Sequence, residues 1–475
     1  MESNGRTWTS AQRWVVGVTA AAALMVGLDV SVVATALSTI RVDLGASLEQ
    51  LEWTVNAYTL SFAVLLMTGA ALGDRFGRRR VFASGVGLFA AASVGCALAP
   101  DATWLIVARA VQGAGAAVVM PLSLTLLGGA FAPQHRARAL GVFTAVIGAS
   151  VPLGPLVGGA VVEGISWSWI FWLNVPLAVA LIPLALTRLE ESHGPDAGLD
   201  IRGQALVTAA GFGIVWGLVR GNSAGWGSAE VLIALTLGVL LAFAFVTCEL
   251  RVREPMLPMR LFRARPFSGG NAAIFFLWGS ALGAVFFLAQ FLQTALGSGP
   301  LEAGAQLMPW GAMTIIVPRI AGAFIGRVGE RPFVLAGMSL HAAAMTWIAL
   351  IAAPDLAYGR LIAPLILSGV GIAMAIPALQ SSVLSSVAPR YIGKASGTFS
   401  TSRQLGGAFG VAILVAVFAG SGSYASAQSF SDGFAPALAA SAALALGAAA
   451  AGIALPSRSS RQLTRLLRRV IAYDG

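Results

Sequence analysis

Apolar stretches of roughly 17–25 residues recur along the whole chain, separated by short segments rich in Arg, Asp, Gly and Pro. A helix rising 1.5 Å per residue needs about 20 such residues to cross ~30 Å of hydrocarbon. Within lipid every backbone N–H and C=O must be satisfied by the segment itself, which selects helices. The pattern predicts spans near 14–40, 53–73, 80–99, 103–131, 137–162 and 167–187, a pair near 202–219 and 229–248, and six more near 267–296, 303–326, 333–353, 360–388, 395–420 and 433–455. Fourteen spans result. The expected architecture is an all-α integral membrane protein of two six-helix bundles plus two extra helices. Its segments are an N-terminal bundle over 1–190, the added pair over 191–265, a C-terminal bundle over 266–456 and a basic amphipathic tail over 457–475.

Charge placement fixes an expected topology. Of the 30 Lys and Arg residues, 24 fall in alternate loops and the two ends, three (Arg41, Arg220, Arg360) in the opposite loops, and three (Arg109, Arg319, Arg403) inside spans. Basic residues accumulate on the cytoplasmic side, so both termini are expected there, in a multi-pass protein of the cytoplasmic membrane. The same asymmetry accounts for the net charge of +10 and removes the reading as a nucleic-acid binder. The composition, 57% hydrophobic and 11% charged, agrees with lipid as the solvent. In the tail, Leu463, Leu466, Leu467, Val470 and Ile471 share helical spacing with Arg461, Arg465, Arg468 and Arg469, the pattern of a helix lying on anionic lipid.

Several chemistries lack their residues. Cys96 and Cys248, the two cysteines, both lie in predicted spans, so no disulfide framework or zinc cluster is expected, and no metal or cofactor. Ala34-Thr35-Ala36 resembles a signal-peptidase site, but Asp29 interrupts the preceding apolar run, and the first helix is expected to stay. No phosphate loop of the G-x-x-x-x-G-K-[ST] type occurs, so ATP is not an expected energy source, and an intramembrane enzyme would need an H-E-x-x-H or similar cluster that the chain lacks.

The turn Ala70-Ala71-Leu72-Gly73-Asp74-Arg75-Phe76-Gly77-Arg78-Arg79-Arg80-Val81 resembles the loop signature of the major facilitator superfamily. Glycines allow the tight turn, the acid can cap or pair at a helix end, and the cations anchor topology and form state-dependent ion pairs. The resemblance implies a cytoplasmic gate built from Gly73, Asp74, Arg75, Gly77, Arg78 and Arg79; the alternative is an ordinary positive loop. A fainter echo, Gly326-Arg327-Val328-Gly329-Glu330-Arg331, follows the tenth span, as two parallel repeats would require. In the fifth span, Gly141, Gly154, Pro155, Gly158 and Gly159 resemble the antiporter motif of the superfamily's exporters, with Ser150 in place of a usual glycine. Small residues four apart permit close backbone contact and the prolines kink the span. Trp167-Ser168-Trp169-Ile170-Phe171-Trp172-Leu173-Asn174-Val175-Pro176, Asp200-Ile201-Arg202-Gly203, Glu254-Pro255-Met256-Leu257-Pro258 and Arg403-Gln404-Leu405-Gly406-Gly407 extend the likeness to the fourteen-helix drug:proton antiporters along nearly the whole chain.

Charges inside spans are costly, on the order of 3 kcal/mol each by insertion scales, and so carry function by default. Asp29 lies roughly 16 Å from the outer end of its helix, near the midplane. The family's first span carries an acid in this setting, although Val33-Ala34-Thr35-Ala36 lacks the usual Asn. Arg109, in Leu105-Ile106-Val107-Ala108-Arg109-Ala110-Val111-Gln112-Gly113, resembles the fourth-span motif assigned to proton transfer. It either pairs with Asp29 or snorkels outward. Asp29 and Arg109 are therefore the expected proton-coupling residues. Asn56, Tyr58, Gln290, Gln293, Arg319, Gln380, Arg403 and Gln404 are candidate cavity residues, with helix bridging as the other role of a buried amide. His341 is either packing or titratable. The resemblance implies alternating access around a midplane cavity, exporting a small hydrophobic drug or antibiotic against protons; a dedicated exporter of an endogenous metabolite is the other reading.

Overall fold

A computed structural model describes residues 8–131, 133–194, 200–252, 255, 257–388 and 391–456. The amphipathic tail, Glu254, Met256 and Arg390 lie outside the described residues. The helices are α1 (Ser10–Asp43), α2 (Leu48–Phe76), α3 (Arg78–Ala97), α4 (Ala102–Ala130), α5 (Pro133–Gly164), α6 (Trp169–Trp172), α7 (Asn174–Arg188), α8 (Ile201–Ala224), α9 (Ala229–Arg251), α10 (Arg265–Thr294), α11 (Pro300–Gln306), α12 (Met308–Val328), α13 (Glu330–Ile351), α14 (Gly359–Ser385), α15 (Ile392–Ala419) and α16 (Ala427–Gly452). Thirteen spans among the described residues, α6 and α7 being taken together, are long and apolar enough to cross a membrane.

Three predicted spans need correction. The second begins at Leu48 rather than near 53, because Ser47 and Gln50 form a capping box: the Ser47 hydroxyl accepts from Gln50 N at 3.2 Å and Gln50 Oε1 accepts from Ser47 N at 2.9 Å. The sixth is broken at Leu173 into α6 and α7, and the tenth at Leu307 into α11 and α12, each break falling two or three residues before a proline, Pro176 or Pro309 respectively, that lacks an N–H for a continuous ladder. Asp101 caps α4 and Ser426 caps α16 through their side-chain oxygens.

The chain divides into two compact units. One contains residues up to Trp216 with Ile233–Met256 and Ser298–Ala305; the other contains Gly217–Leu232, Leu257–Gly297 and the chain from Gln306 onward. Inside the first, α1 packs on α4, α5 and α7, α2 on α4, and α3 on α4 and α7. Inside the second, α10 packs on α14, α15 and α16, α12 on α14, and α13 on α14 and α16. The two lists are the same pairing under the substitution of α10, α12, α13, α14, α15 and α16 for α1, α2, α3, α4, α5 and α7. The two echoing turns also match in geometry. Gly77 joins α2 to α3 at φ 101° and its N–H bonds Gly73 O; Gly329 joins α12 to α13 at φ 99° and its N–H bonds Ile325 O. Only glycine takes this backbone conformation freely, which fixes the residue at both turns.

Lipid tails are as apolar as Leu, so helices associate through close packing and hydrogen bonds rather than by hiding from water. The α1–α5 seam shows this. Gly154 lies against Ser31 and Gly158 against Thr35 and Val32, while Ser150, at the position of the missing glycine, lies against Gly27 on the other helix. The small residue has changed sides and the seam stays tight. Gly141, by contrast, faces open space and takes no part in it. Gly159 packs against Pro300 and Leu301, and Gly304 against Pro155, so α11 docks on α5 within the first unit. The α10–α15 seam is built likewise, with Gly279 against Gly406 and Gly410.

Candidate functional site

A cluster of polar side chains in the first unit is deeply buried. Asp29 of α1, 4% exposed, faces Arg109 of α4, 2% exposed, with Asp29 Oδ2 2.5 Å from Arg109 Nη1. Around this pair the neighbouring helices supply complementary amides. Gln112 Nε2 donates to Asp29 Oδ1 at 2.8 Å and to Ser93 Oγ of α3 at 2.8 Å. Gln112 Oε1 accepts from Arg109 Nη1 at 2.6 Å and from the Cys96 thiol at 3.6 Å. Asn174, the first residue of α7, donates to Asp29 Oδ1 at 3.2 Å and Ser93 Oγ at 3.3 Å. Arg109 Nε donates to the Thr54 carbonyl at 3.2 Å, and its guanidinium lies 4.2 Å from the centre of the Tyr58 ring and 5.8 Å from that of Phe171.

These partners define the charge state of this conformation. Among the described residues Asp29 receives three donors and meets no acceptor, the environment of an ionised carboxylate. Gln112 uses both amide hydrogens and its oxygen, so its orientation is fixed. A buried ion pair is stable only when its remaining hydrogen-bonding positions are filled, and this one is filled from α2, α4 and α7. Removing the charge on Asp29 would leave the guanidinium held by neutral acceptors and an aromatic face alone. The assembly can therefore couple protonation of one carboxyl to the packing of α1, α2, α3, α4 and α7.

The turn signature is held by a segment that the sequence reading missed. Glu191, just beyond α7, accepts from Arg79 N at 2.9 Å and Arg80 N at 3.3 Å, placing a carboxylate at the N-terminus of α3, where the helix dipole favours it. Arg78 N donates to Ser192 O at 2.9 Å and Gly194 N to Asp74 O at 3.0 Å. Asp74 pairs with Arg78 at 2.8 Å, and Arg79 Nη1 reaches Leu189 O at 3.3 Å. Gly73 approaches Leu122 of α4, and Arg75 stands over the Phe76 ring. The signal for Glu191 was the acidic pair that follows Arg188 at the end of the sixth span.

Among the cavity candidates, only Tyr58 joins the Asp29–Arg109 pair. Asn56 lies on another face of α2, donating to Glu52 Oε1 at 3.4 Å. In the second unit the rest are spread. Gln290 donates to Phe286 O at 2.8 Å and accepts from the Tyr424 hydroxyl, Gln293 is half-buried, Gln404 is buried and Gln380 is exposed. The Arg403 guanidinium lies 4.9 Å from the centre of the Trp278 ring, with its Nε unpartnered. Arg319 lies on α12 and its side chain is outside the described residues. His341 of α13 has a defined setting, with Nε2 2.9 Å from Ser280 Oγ of α10 and Nδ1 2.9 Å from Ser368 Oγ of α14. Ser280 and Ser441 of α16 exchange hydrogen bonds, Ser280 Oγ to Ser441 O at 2.7 Å and Ser441 Oγ to Ser280 O at 3.1 Å. With these two hydroxyl hydrogens so placed, a neutral imidazole donating from Nε2 and accepting at Nδ1 satisfies every atom.

Comparison with known proteins assigns the family. The chain is 34% identical over 412 residues to the tetracenomycin C resistance and export protein of Streptomyces glaucescens, covering 86% of this chain and 76% of that one. It is 37% identical over 421 residues to the cephamycin export protein CmcT of Amycolatopsis lactamdurans, covering 86% of each. The crystal structure of the peptide transporter POT in complex with sulfate has the same fold, with TM-score 0.68 at 16% identity over 93% of this chain and 95% of that one. The description that matches residues 19–411 is the Major Facilitator Superfamily, and the chain, a membrane transporter, belongs to it.

Proposed function

We propose that the protein exports small hydrophobic drugs or antibiotics across the cytoplasmic membrane by alternating access, in exchange for protons, with both termini cytoplasmic. The observation that carries the reading is the Asp29–Arg109 pair, buried at the meeting of α1 and α4 and satisfied by Gln112 and Asn174. In the proposed cycle a proton neutralises Asp29 and releases Arg109 from its counter-charge. The surrounding helices then repack: protonation accompanies cargo release outside, and reionisation on the cytoplasmic side accompanies binding of the next cargo molecule. Arg109 biases proton loss by stabilising the carboxylate. The two named relatives, one a resistance and export protein and the other an export protein, support the cargo class. The α1–α5 seam, whose residues resemble the antiporter motif, supports export over uptake.

The test is lumenal pH in inverted membrane vesicles, comparing wild type with Asp29→Asn while tetracenomycin C, cephamycin and lipophilic dyes are added in turn. Proton efflux triggered by a compound and lost in Asp29→Asn is the expected result. Full proton-coupled export in Asp29→Asn would overturn the assignment. A second reading, favoured by the single named antibiotic in each relative's description, is an exporter dedicated to one endogenous metabolite. It predicts a response to one compound and silence to the rest.

A further inference from the structure

Glu52 of α2 is 1% exposed and Asn56, one turn later, is 0% exposed. Among the described residues this carboxylate has one hydrogen bond, a long one, 3.4 Å from Asn56 Nδ2 to Glu52 Oε1. Glu52 Oε2 and Asn56 Oδ1 are both buried without a partner. The contrast with Asp29, which receives three donors, is chemical rather than positional. A buried carboxylate accepts only, so two neighbouring unfilled acceptors cannot satisfy each other. One proton on Glu52 turns Oε2 into a donor, and a carboxylic acid and a primary amide then fill each other's positions.

Among the described residues no cation pairs with Glu52. Glu52 lies two residues before Thr54, roughly 200° around the helix, so the face carrying Thr54 and Tyr58 points away from it. That other face takes Arg109 of α4, which is committed to Asp29 of α1. At the ends of the neighbouring helices, Arg41 sits in the last turn of α1, Asp43 accepts from Trp167 Nε1, and Asp101 caps α4. The helix α3, also packed on α2, carries Arg78, Arg79 and Arg80 at its opposite end. The charge that acts on Glu52 is a like one, Glu49 of the same helix.

We infer that Glu52 is a second proton-carrying carboxyl, held as the neutral acid in this conformation against the amide of Asn56. Its depth suits a relay. Glu52 is ~6 Å along α2 from Leu48, while Asp29 is ~21 Å along α1 from Asp43. The short connection from Asp43 to Leu48 puts those two helix ends on one side of the membrane. Glu52 thus stands between that surface and Asp29, able to take a proton before the ion pair does. The inference rests on the proton-coupled reading above for its role in transport, but the protonation of Glu52 stands independently.

The experiment is infrared difference spectroscopy of the full chain in lipid vesicles, acid minus alkaline, on wild type, Glu52→Gln, Asp29→Asn and Asn56→Leu. A carboxylic-acid C=O band absent only from Glu52→Gln, and shifted to higher frequency in Asn56→Leu, is expected. A band unchanged in Glu52→Gln overturns the neutral acid, and one unshifted in Asn56→Leu overturns the acid–amide pair. Protons moved per molecule of tetracenomycin C are then counted in wild-type and Glu52→Gln vesicles, with a ratio lower by one expected. An equal ratio overturns the carrier role. Coupling that survives in Asp29→Asn would instead remove the Asp29 assignment while leaving the infrared result intact.

Discussion

In one unit α1, α3, α4 and α7, joined by α2 through the Thr54 carbonyl and the Tyr58 ring, converge on a carboxylate and a guanidinium; in the other, α10, α13, α14 and α16, the counterparts of the first four, converge on one imidazole among three serines. The pairing of helices is the same and the depth of burial is similar, so architecture alone does not call for charge. A neutral His–Ser network fastens four helices with ordinary hydrogen bonds, each worth about 0.6 kcal/mol in a membrane protein. An ion pair in the same kind of place is expensive to desolvate and is no better as a fastener. On the proposed function, the unit that keeps charge does so for what happens when the charge is removed.

The largest expected effect tests that distinction. Arg109→Ala leaves Asp29 as an uncompensated buried charge and should destabilise the protein by about 3–5 kcal/mol, read as thermal unfolding in detergent. Replacing both Asp29 and Arg109 by Leu should recover most of that loss while abolishing export; a double variant as unstable as the single one would make the pair structural. Next come the seams. Gly154→Val drives a side chain into Ser31 and Gly406→Val drives one into Phe275, each at about 1–3 kcal/mol of overpacking. Comparable unfolding temperatures with export lost in only one variant would show which seam moves. His341→Leu should cost about 1–2 kcal/mol, two interhelical hydrogen bonds, and leave proton-coupled export in place; lost coupling would make the neutral network a second working site. Last is Gln204→Leu. It removes two bonds that dock α8 on α2, Gln204 Nε2 to Val64 O and Thr68 Oγ1 to Gln204 Oε1, at about 1 kcal/mol by the same thermal assay.

The run of apolar segments made the helices legible, and the cost of charge in lipid singled out Asp29 and Arg109 before any contact was known. The partners that finish the pair were harder to see. Gln112 stands one turn beyond Arg109 in the same motif, where i,i+3 spacing could have found it, but Ser93, Cys96 and Asn174 come from other helices. Hydropathy fixes which segments are helical and carries no rotation between them. Glu52 was missed at a boundary, since the second span was expected to start one residue after it and the Ser47–Gln50 cap moves the start back a turn. The breaks at Leu173 and Leu307 escaped because a one-residue interruption leaves the apolar run unchanged.

Cys96 has one consequence of a different kind. Its thiol is fully buried and donates to the amide oxygen that also holds Arg109, while Cys248, the other cysteine, is partly exposed on α9. A maleimide can reach Cys96 only when the helices around the ion pair separate, so its labelling rate counts those openings and Cys248 supplies the internal reference. The native sequence is thus already tagged, and its conformational cycle can be timed without engineering a single residue.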